Sequence, residues 1–182
     1  MTDAILERKF DPPMTVAGFL ESVARSATCF ELHRVDWQNS MLSTDGRRII
    51  CWFRGLDLES MRIAMRKEKI DMRLLWSGSV HDAPGADESD LATANVVVER
   101  RFDESVRLPD IQALEDAGAG CLEMRNVKFV RTFFSADRKH MICLYQAPDA
   151  ESVRQAQREA KMPFDAVWAF KTIRPESLSS GT

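Results

Sequence analysis

The sequence contains two copies of one segment at a constant offset of 92 residues. Leu6-Glu7-Arg8-Lys9-Phe10-Asp11 recurs without a gap as Val98-Glu99-Arg100-Arg101-Phe102-Asp103. The same offset relates further identical pairs: Cys29 with Cys121, Val35 with Val127, Asp45 with Asp137, Cys51 with Cys143, Asp57 with Asp149, Glu59 with Glu151 and Trp76 with Trp168. Because a fixed internal period marks a repeated structural unit, we expect each copy to fold as one module.

The stretch between the copies has the composition of a linker. It is acidic, contains Pro84 and Gly85, and has no apolar periodicity. We therefore predict a first repeat over residues 1–82, a linker over 83–94 and a second repeat over 95–175. Residues 176–182 are expected to form a flexible tail.

Each copy predicts the element order βαββαβ. Apolar and β-branched residues over 3–10 and 95–102 indicate a first strand, and Thr15 and Pro109 are typical helix starts. The Asp45-Gly46 pair between two apolar runs favours a hairpin, although the second copy lacks this glycine.

A second helix and a last strand complete each copy. Asp57 and Asp149 are placed to cap the second helix, and apolar runs over 74–80 and 166–173 follow it. This order is that of a ferredoxin-like module, an α+β fold with helices on one sheet face. Since residues of both parities along the strands are apolar, the other face needs a cover too. We therefore predict two ferredoxin-like modules packed as an intrachain dimeric α+β barrel, with a ligand cavity between them.

The second copy resembles a bacterial domain-of-unknown-function family whose best-known members are described as nickel-binding proteins. The resemblance is carried by Glu99-Arg100, Cys143-Leu144-Tyr145-Gln146-Ala147-Pro148, Glu151-Ser152-Val153 and Met162-Pro163. It implies a ferredoxin-like fold and, for the nickel-binding members, histidine ligands with an acidic residue near the first strand. Here Glu7 and Glu99 keep the acidic position, but Lys9 and Arg101 follow two residues later. We therefore predict no metal site and no cofactor.

The duplicated Glu-Arg pair supplies the sharpest candidate site residues. Strand alternation places Glu7 and Glu99 on one sheet face, and Arg8 and Arg100 on the other. Two interpretations stay open, because buried charges need partners. They are ion pairs, with Arg62 and Arg154 as candidate partners, or polar anchors for an anionic or hydrogen-bonding ligand.

Aromatic residues on the later strands are the second group of candidates. Trp76, Trp168 and Tyr145 either line a ligand pocket or fill the core. The four cysteines favour buried core positions over redox or metal chemistry, since no histidine recurs near them.

Composition excludes several functional classes. A net charge of −3 and a pI near 5.7 argue against nucleic-acid binding through phosphate neutralisation. No apolar run is long enough to span a membrane, and the reduced cysteines without a secretion signal predict a cytoplasmic protein.

Four functional hypotheses follow. The leading one is a small-molecule binding or sensing protein, with an anionic ligand favoured by the arginines. Two alternatives from fold and resemblance are a divalent-metal (nickel-type) binding protein and an enzyme of the α+β-barrel monooxygenase or isomerase kind. The fourth is an assembly protein that forms a homo-oligomer through a sheet or helix face.

Overall fold

The structure is a computed structural model that describes residues 1–178. The first copy runs β1 (Thr2–Lys9), α1 (Val16–Leu32), β2 (Asp36–Ser43), β3 (Arg48–Gly55), α2 (Leu58–Lys67) and β4 (Leu74–Asp82). After α3 (Glu88–Thr93), the second copy runs β5 (Val96–Arg101), α4 (Leu108–Glu123), β6 (Lys128–Ser135), β7 (His140–Gln146), α5 (Ala150–Glu159) and β8 (Ala166–Ile173). Over the residues described, no helix is both long and apolar enough to cross a membrane.

The strands of each copy pair antiparallel in the same order. In the first, β1 lies between β3 and β4, with Leu6 opposite Cys51 and Leu75, and β2 pairs with the other edge of β3. In the second, β5 lies between β7 and β8, and β6 pairs with β7. This is the ferredoxin-like βαββαβ arrangement, so the predicted α+β fold class of two such modules is confirmed.

Three of the predicted helix starts are confirmed by capping hydrogen bonds, whereas α4 begins at Leu108, before Pro109, without one. The side chain of Thr15 accepts a hydrogen bond from the Gly18 amide at 3.0 Å. Asp57 and Asp149 each accept one at 2.7 Å from an amide three residues later. Equivalent aspartates therefore begin the second helix of both modules by the same mechanism.

The segment predicted as a linker contains a short helix. The Asp87 side chain accepts a hydrogen bond from the Asp90 amide, and the Asp90 side chain accepts one from the Asp87 amide, which forms a capping box at the start of α3. Contacts divide the described chain into one compact unit of Met1–Gly78 with residues 171–178, and a second of Ser79–Phe170. Pro175–Leu178, which overlaps the start of the predicted tail, forms one turn of 3-10 helix, and 179–182 lie outside the described residues.

The two predicted hairpins are present, and their turns use one positive φ each. Gly46 has φ +70°, and its counterpart Arg138 takes nearly the same conformation at +61°. In each turn the preceding aspartate accepts hydrogen bonds from a serine two residues before it and an amide two residues after it. These side-chain bonds explain why the second hairpin forms without a glycine.

Helices α4 and α5 approach closely at Gly118. A β-carbon at Gly118 would lie 2.6 Å from the Ala160 β-carbon, whereas one at Gly120 would meet nothing within 4 Å. The first module has Ser26 and Glu68 at the equivalent positions, joined by a hydrogen bond of 2.9 Å. The same contact is therefore apolar and tight in one copy, and polar in the other.

Alanine substitutions at these two glycines are expected to have opposite effects. Gly118→Ala should lower the free energy of unfolding by about 1–3 kcal/mol because the helices must separate. Gly120→Ala should raise it by up to about 1 kcal/mol, because alanine is the better helix former. Urea unfolding of both variants measures the difference; equal effects would show that α4 and α5 do not pack this tightly.

Candidate functional site

A fully buried arginine lies between the sheet and the helices of the second module. Arg100 is 1% exposed. Its Nε donates to the Pro163 carbonyl at 2.9 Å and its Nη1 donates to Cys143 Sγ at 2.8 Å. Its Nη2 donates to Gln157 Oε1 at 2.7 Å and, more weakly, to the Tyr145 hydroxyl at 3.4 Å. Several residues that carry the family resemblance therefore meet at one guanidinium.

The network continues from Tyr145 to a carboxyl group. Tyr145 is also buried, and its hydroxyl oxygen accepts from Gln157 Nε2 at 3.2 Å as well as from Arg100. Burial raises the pKa of Tyr145, so the hydroxyl keeps its proton. Glu115 of α4 lies close enough to Tyr145 for this hydroxyl to lower the pKa of the Glu115 carboxyl group. A chain of polar groups thus runs from the buried arginine to a carboxylic acid.

Glu115 has an incompletely satisfied carboxyl group. Its Oε1 is buried and has no hydrogen-bond partner among the described residues. Burial raises the pKa of Glu115, against the opposing effects of the Arg100 charge and the Tyr145 hydrogen bond. An acid held in this state is uncommon in a structural core and is a recognised sign of a functional site.

A cavity of about 350 Å³ opens beside this network. Its polar floor comprises Glu115, Tyr145 and Gln157, and its apolar wall includes Leu122, Val127, Phe129 and Met162. The charged residues around it are Glu115, Asp116, Glu123 and Lys128. Lys128 forms an ion pair with Asp90, and the buried Arg100 lies behind Tyr145 and Gln157 without reaching the cavity. The residues that line the cavity are therefore predominantly acidic.

The first module has a cavity of about 370 Å³ that overlaps the equivalent position in part and is lined by Arg8. Arg8 corresponds to Arg100, but Met65 and Phe53 stand where the second module has Gln157 and Tyr145. Val23 likewise stands in place of Glu115. The polar network therefore exists in one copy only.

The other predicted site residues lie on the opposite face of each sheet. Trp76 Nε1 donates to Glu7 at 2.7 Å, and Trp168 Nε1 donates to Glu99 at 2.5 Å. The seven candidates thus fall into two groups: Arg8, Arg100 and Tyr145 on the helix side, and Glu7, Glu99, Trp76 and Trp168 on the other side. Arg62 and Arg154 form ion pairs with Glu59 and Glu151 of their own helices.

Sequence reasoning missed Glu115, because an acid in an amphipathic helix resembles any solvent-facing residue. The feature that distinguishes Glu115 in the sequence is its difference from the equivalent residue of the first copy. At an offset of 92, Glu115 corresponds to Val23, Gln157 to Met65 and Tyr145 to Phe53, so polar groups replace apolar ones at positions that face the core. Three such replacements around one arginine indicate a site, whereas any one alone would not.

The buried cysteines belong to the core. Burial raises the pKa of Cys51 to about 12 and also raises that of Cys143. Both thiols are therefore protonated near neutral pH, which makes them poor nucleophiles and poor metal ligands.

The raised pKa of Glu115 has a consequence for stability. The folded state holds the proton more tightly than the unfolded chain, so stability falls as pH rises from the ordinary value of 4.5 through the raised folded value. Glutamine does not ionise, so Glu115→Gln removes this loss of stability at high pH. We expect the variant to be more stable than the unmodified protein at pH 7. The advantage should disappear near pH 4. Thermal unfolding at both pH values measures it, and a variant that is less stable at pH 7 would contradict the burial of an ionised carboxylate.

The fold and the cavity define an α+β protein of two ferredoxin-like modules with a polar pocket in the second. Residues 97–169 match the family model described as SCO4226-like, nickel responsive protein SCO4226-like, which confirms the resemblance for the second module. Comparison with curated proteins gives no match.

Several solved structures are similar to this chain, including the following two. SCO4226 from Streptomyces coelicolor A3(2) is 19% identical, with 41% of this chain and 91% of that chain covered and a TM-score of 0.37. A putative chlorite dismutase, TA0507, is 10% identical, with 98% and 96% covered and a TM-score of 0.53. The second likeness extends over both modules and supports the predicted fold class of the α+β-barrel kind. At this identity it is a likeness of fold alone.

The residues present do not fit a nickel site. Within residues 1–178, no group of three or more His, Cys, Asp and Glu side chains converges as metal ligands would. His33 contacts Lys67 at 3.1 Å, and His81 contacts Ser79 at 2.7 Å. His140 lies 3.8 Å from Asp137 in the second hairpin. Nickel chemistry therefore does not follow for this chain from the family description.

Proposed function

We propose that the second module binds a small molecule whose hydrogen-bond donor meets Glu115. The observation that carries the proposal is the buried Glu115 Oε1, which has no partner among the described residues and belongs to a cavity-lining side chain. Leaving such an atom unpaired costs about 1–3 kcal/mol. A donor on a bound ligand would recover that energy, which explains why the carboxyl group is tolerated there.

The charge and shape of the cavity favour an amine over an anion. Three carboxylates surround the cavity, and its single lysine is already paired. The edge-to-face pair of Phe129 and Tyr145, with ring centroids 5.6 Å apart, offers an aromatic wall. A volume of about 350 Å³ suits a ligand with one ring and a short chain. The ligand class proposed for this module is therefore a small amine with an apolar or aromatic body, rather than the anion that the arginines suggested.

Phenethylamine is a suitable probe. The comparison ligands are 2-phenylethanol and 3-phenylpropionate, which have a similar hydrocarbon part but an uncharged and an anionic headgroup. We expect saturable calorimetric binding of the amine at pH 7, with affinity reduced about tenfold or more for the alcohol and further for the carboxylate. Glu115→Gln should weaken amine binding by a similar factor, whereas the exposed Glu104→Gln should leave it unchanged. Equal binding of the three probes, or an unaffected Glu115→Gln variant, would contradict the proposal.

The pH dependence gives a second readout. Amine binding requires the ionised carboxylate, so affinity should fall as pH is lowered through the raised pKa of Glu115. In Glu115→Gln this dependence should be absent. The same dependence in the variant would assign the titration to another group.

A second candidate function, proton transfer in an isomerase-like enzyme, is favoured by one observation. Glu115 combines a raised pKa with the neighbouring hydroxyl of Tyr145 in the lining of a cavity, as a general acid or base requires. Deuterium uptake from solvent by a bound carbon acid, lost in Glu115→Gln, would support catalysis. Binding without exchange would leave the module as a binding protein.

A further inference from the structure

The first module keeps the arginine of the second but lacks two of the groups that satisfy it. Arg8 and Arg100 are equivalent, and both lie on the helix side of their sheets. Where Arg100 meets Gln157 and Tyr145, the first module presents Met65 and Phe53, which offer no acceptor oxygen. Arg8 Nε is buried and has no hydrogen-bond partner among the described residues.

The environment of Arg8 combines this cation with apolar surface. Its guanidinium lies 4.9 Å from the centre of the Phe10 ring. The cavity of about 370 Å³ that it lines has apolar walls from Phe19, Phe30 and Ile70. This volume falls in the range of about 300–1,000 Å³ that small-molecule sites occupy.

The charges around this cavity are the reverse of those in the second module. Arg8, Arg25 and Lys69 are the cations in its lining, and Glu68 is the single carboxylate there. Asp71 lies outside the lining, paired with Arg73, although Arg8 also contributes to lowering its pKa. Glu68 already accepts a hydrogen bond of 2.9 Å from Ser26. The field in the first cavity therefore attracts an anion, whereas the field in the second repels one.

We infer that the first module holds a separate site for an amphipathic carboxylate, anchored by Arg8. One carboxylate can take two parallel N–H bonds from a guanidinium, and here it would replace the acceptors that the second module supplies internally. The hydrocarbon part of the ligand would lie against Phe19, Phe30 and Ile70. The two modules thus take ligands of opposite charge.

Calorimetric titration with octanoate, with octanol as the uncharged comparison, tests this site in the full chain. We expect saturable octanoate binding and affinity lower by about tenfold or more for octanol. Arg8→Gln should weaken octanoate binding by a similar factor. Arg47→Gln, which removes an exposed cation elsewhere in the same module, should not. Absent binding, or equal binding to the Arg8→Gln variant, would overturn the inference.

A second variant tests whether weaker octanoate binding by Arg8→Gln results from loss of folding. Met65→Gln places an amide where Gln157 lies in the second module, so Arg8 gains an internal acceptor and octanoate affinity should fall while the circular dichroism spectrum is retained. Unchanged affinity in a folded Met65→Gln variant would overturn the role of Arg8. Glu115→Gln should leave octanoate binding intact, so this site and the amine site of the second module succeed or fail separately.

Discussion

Replacing Arg100 by alanine is expected to lower the free energy of unfolding by about 3–5 kcal/mol. The substitution removes a fully buried side chain and leaves the Gln157 amide oxygen and the Pro163 carbonyl without their donor. Loss of one partner from a buried charged network, together with the cavity created, carries a cost of this size. Urea unfolding at pH 7, followed by circular dichroism, measures the change.

The duplicated sequence offers a matched control at the equivalent position. Arg8 has no such network, so Arg8→Ala should cost only about 1 kcal/mol. Arg100→Lys should not restore stability, because a single ammonium group cannot reproduce bonds in the directions of a guanidinium. Equal costs at Arg8 and Arg100, or a cost below about 1 kcal/mol at Arg100, would show that the network does not stabilise the second module.

Replacing Gln157 by methionine, the residue of the first copy, is expected to cost about 2–3 kcal/mol. Methionine is similar in volume, so the effect isolates the hydrogen bonds. Arg100 loses its closest oxygen acceptor at 2.7 Å, and Tyr145 loses a donor at 3.2 Å. A buried charged donor left unpaired is more costly than an ordinary lost hydrogen bond.

A double-mutant cycle separates this pairing from general disruption of the core. In Arg100→Met, the additional Gln157→Met change should cost much less than it does alone, because no charged donor remains to be satisfied. We expect an interaction energy of about 1–3 kcal/mol from chemical denaturation of the four proteins. Additive effects would mean that the two side chains act independently.

Much of the fold follows from local patterns that the duplication makes visible twice. Asp57 and Asp149 start helices because each caps an amide three residues on, and alternation correctly separates Glu7 from Arg8. These features depend on nearest neighbours along the chain. They are therefore readable without knowledge of tertiary packing.

The site depends on contacts that sequence spacing does not reveal. Glu115 on α4 and Tyr145 on β7 meet only after helix and sheet pack, and neither position stands out within its own element. The sequence alone suggests one group of aromatic residues that includes Tyr145 and Trp168, but the two lie on opposite faces of the second sheet. The capping box of α3 was also missed, because an acidic stretch with proline and glycine resembles a loop until its reciprocal bonds are seen.

The two pockets differ in charge although they lie in copies of the same module. Both copies retain the strand arginine and the strand cysteine, while three neighbouring positions change between apolar and polar. Such changes alter the charge of a cavity without altering the backbone that forms it. A duplicated chain can therefore keep one copy of the fold for each ligand class.

NMR titration of the isotopically labelled chain tests the divergence of the two cavities most directly. Phenethylamine should shift the side-chain amide of Gln157 and the backbone amide of Tyr145. Octanoate should instead shift the Arg8 Nε–H and the backbone amide of Cys51, and each probe should leave the other set unmoved. Shifts from both probes at one set, or at neither, would contradict two pockets of opposite charge.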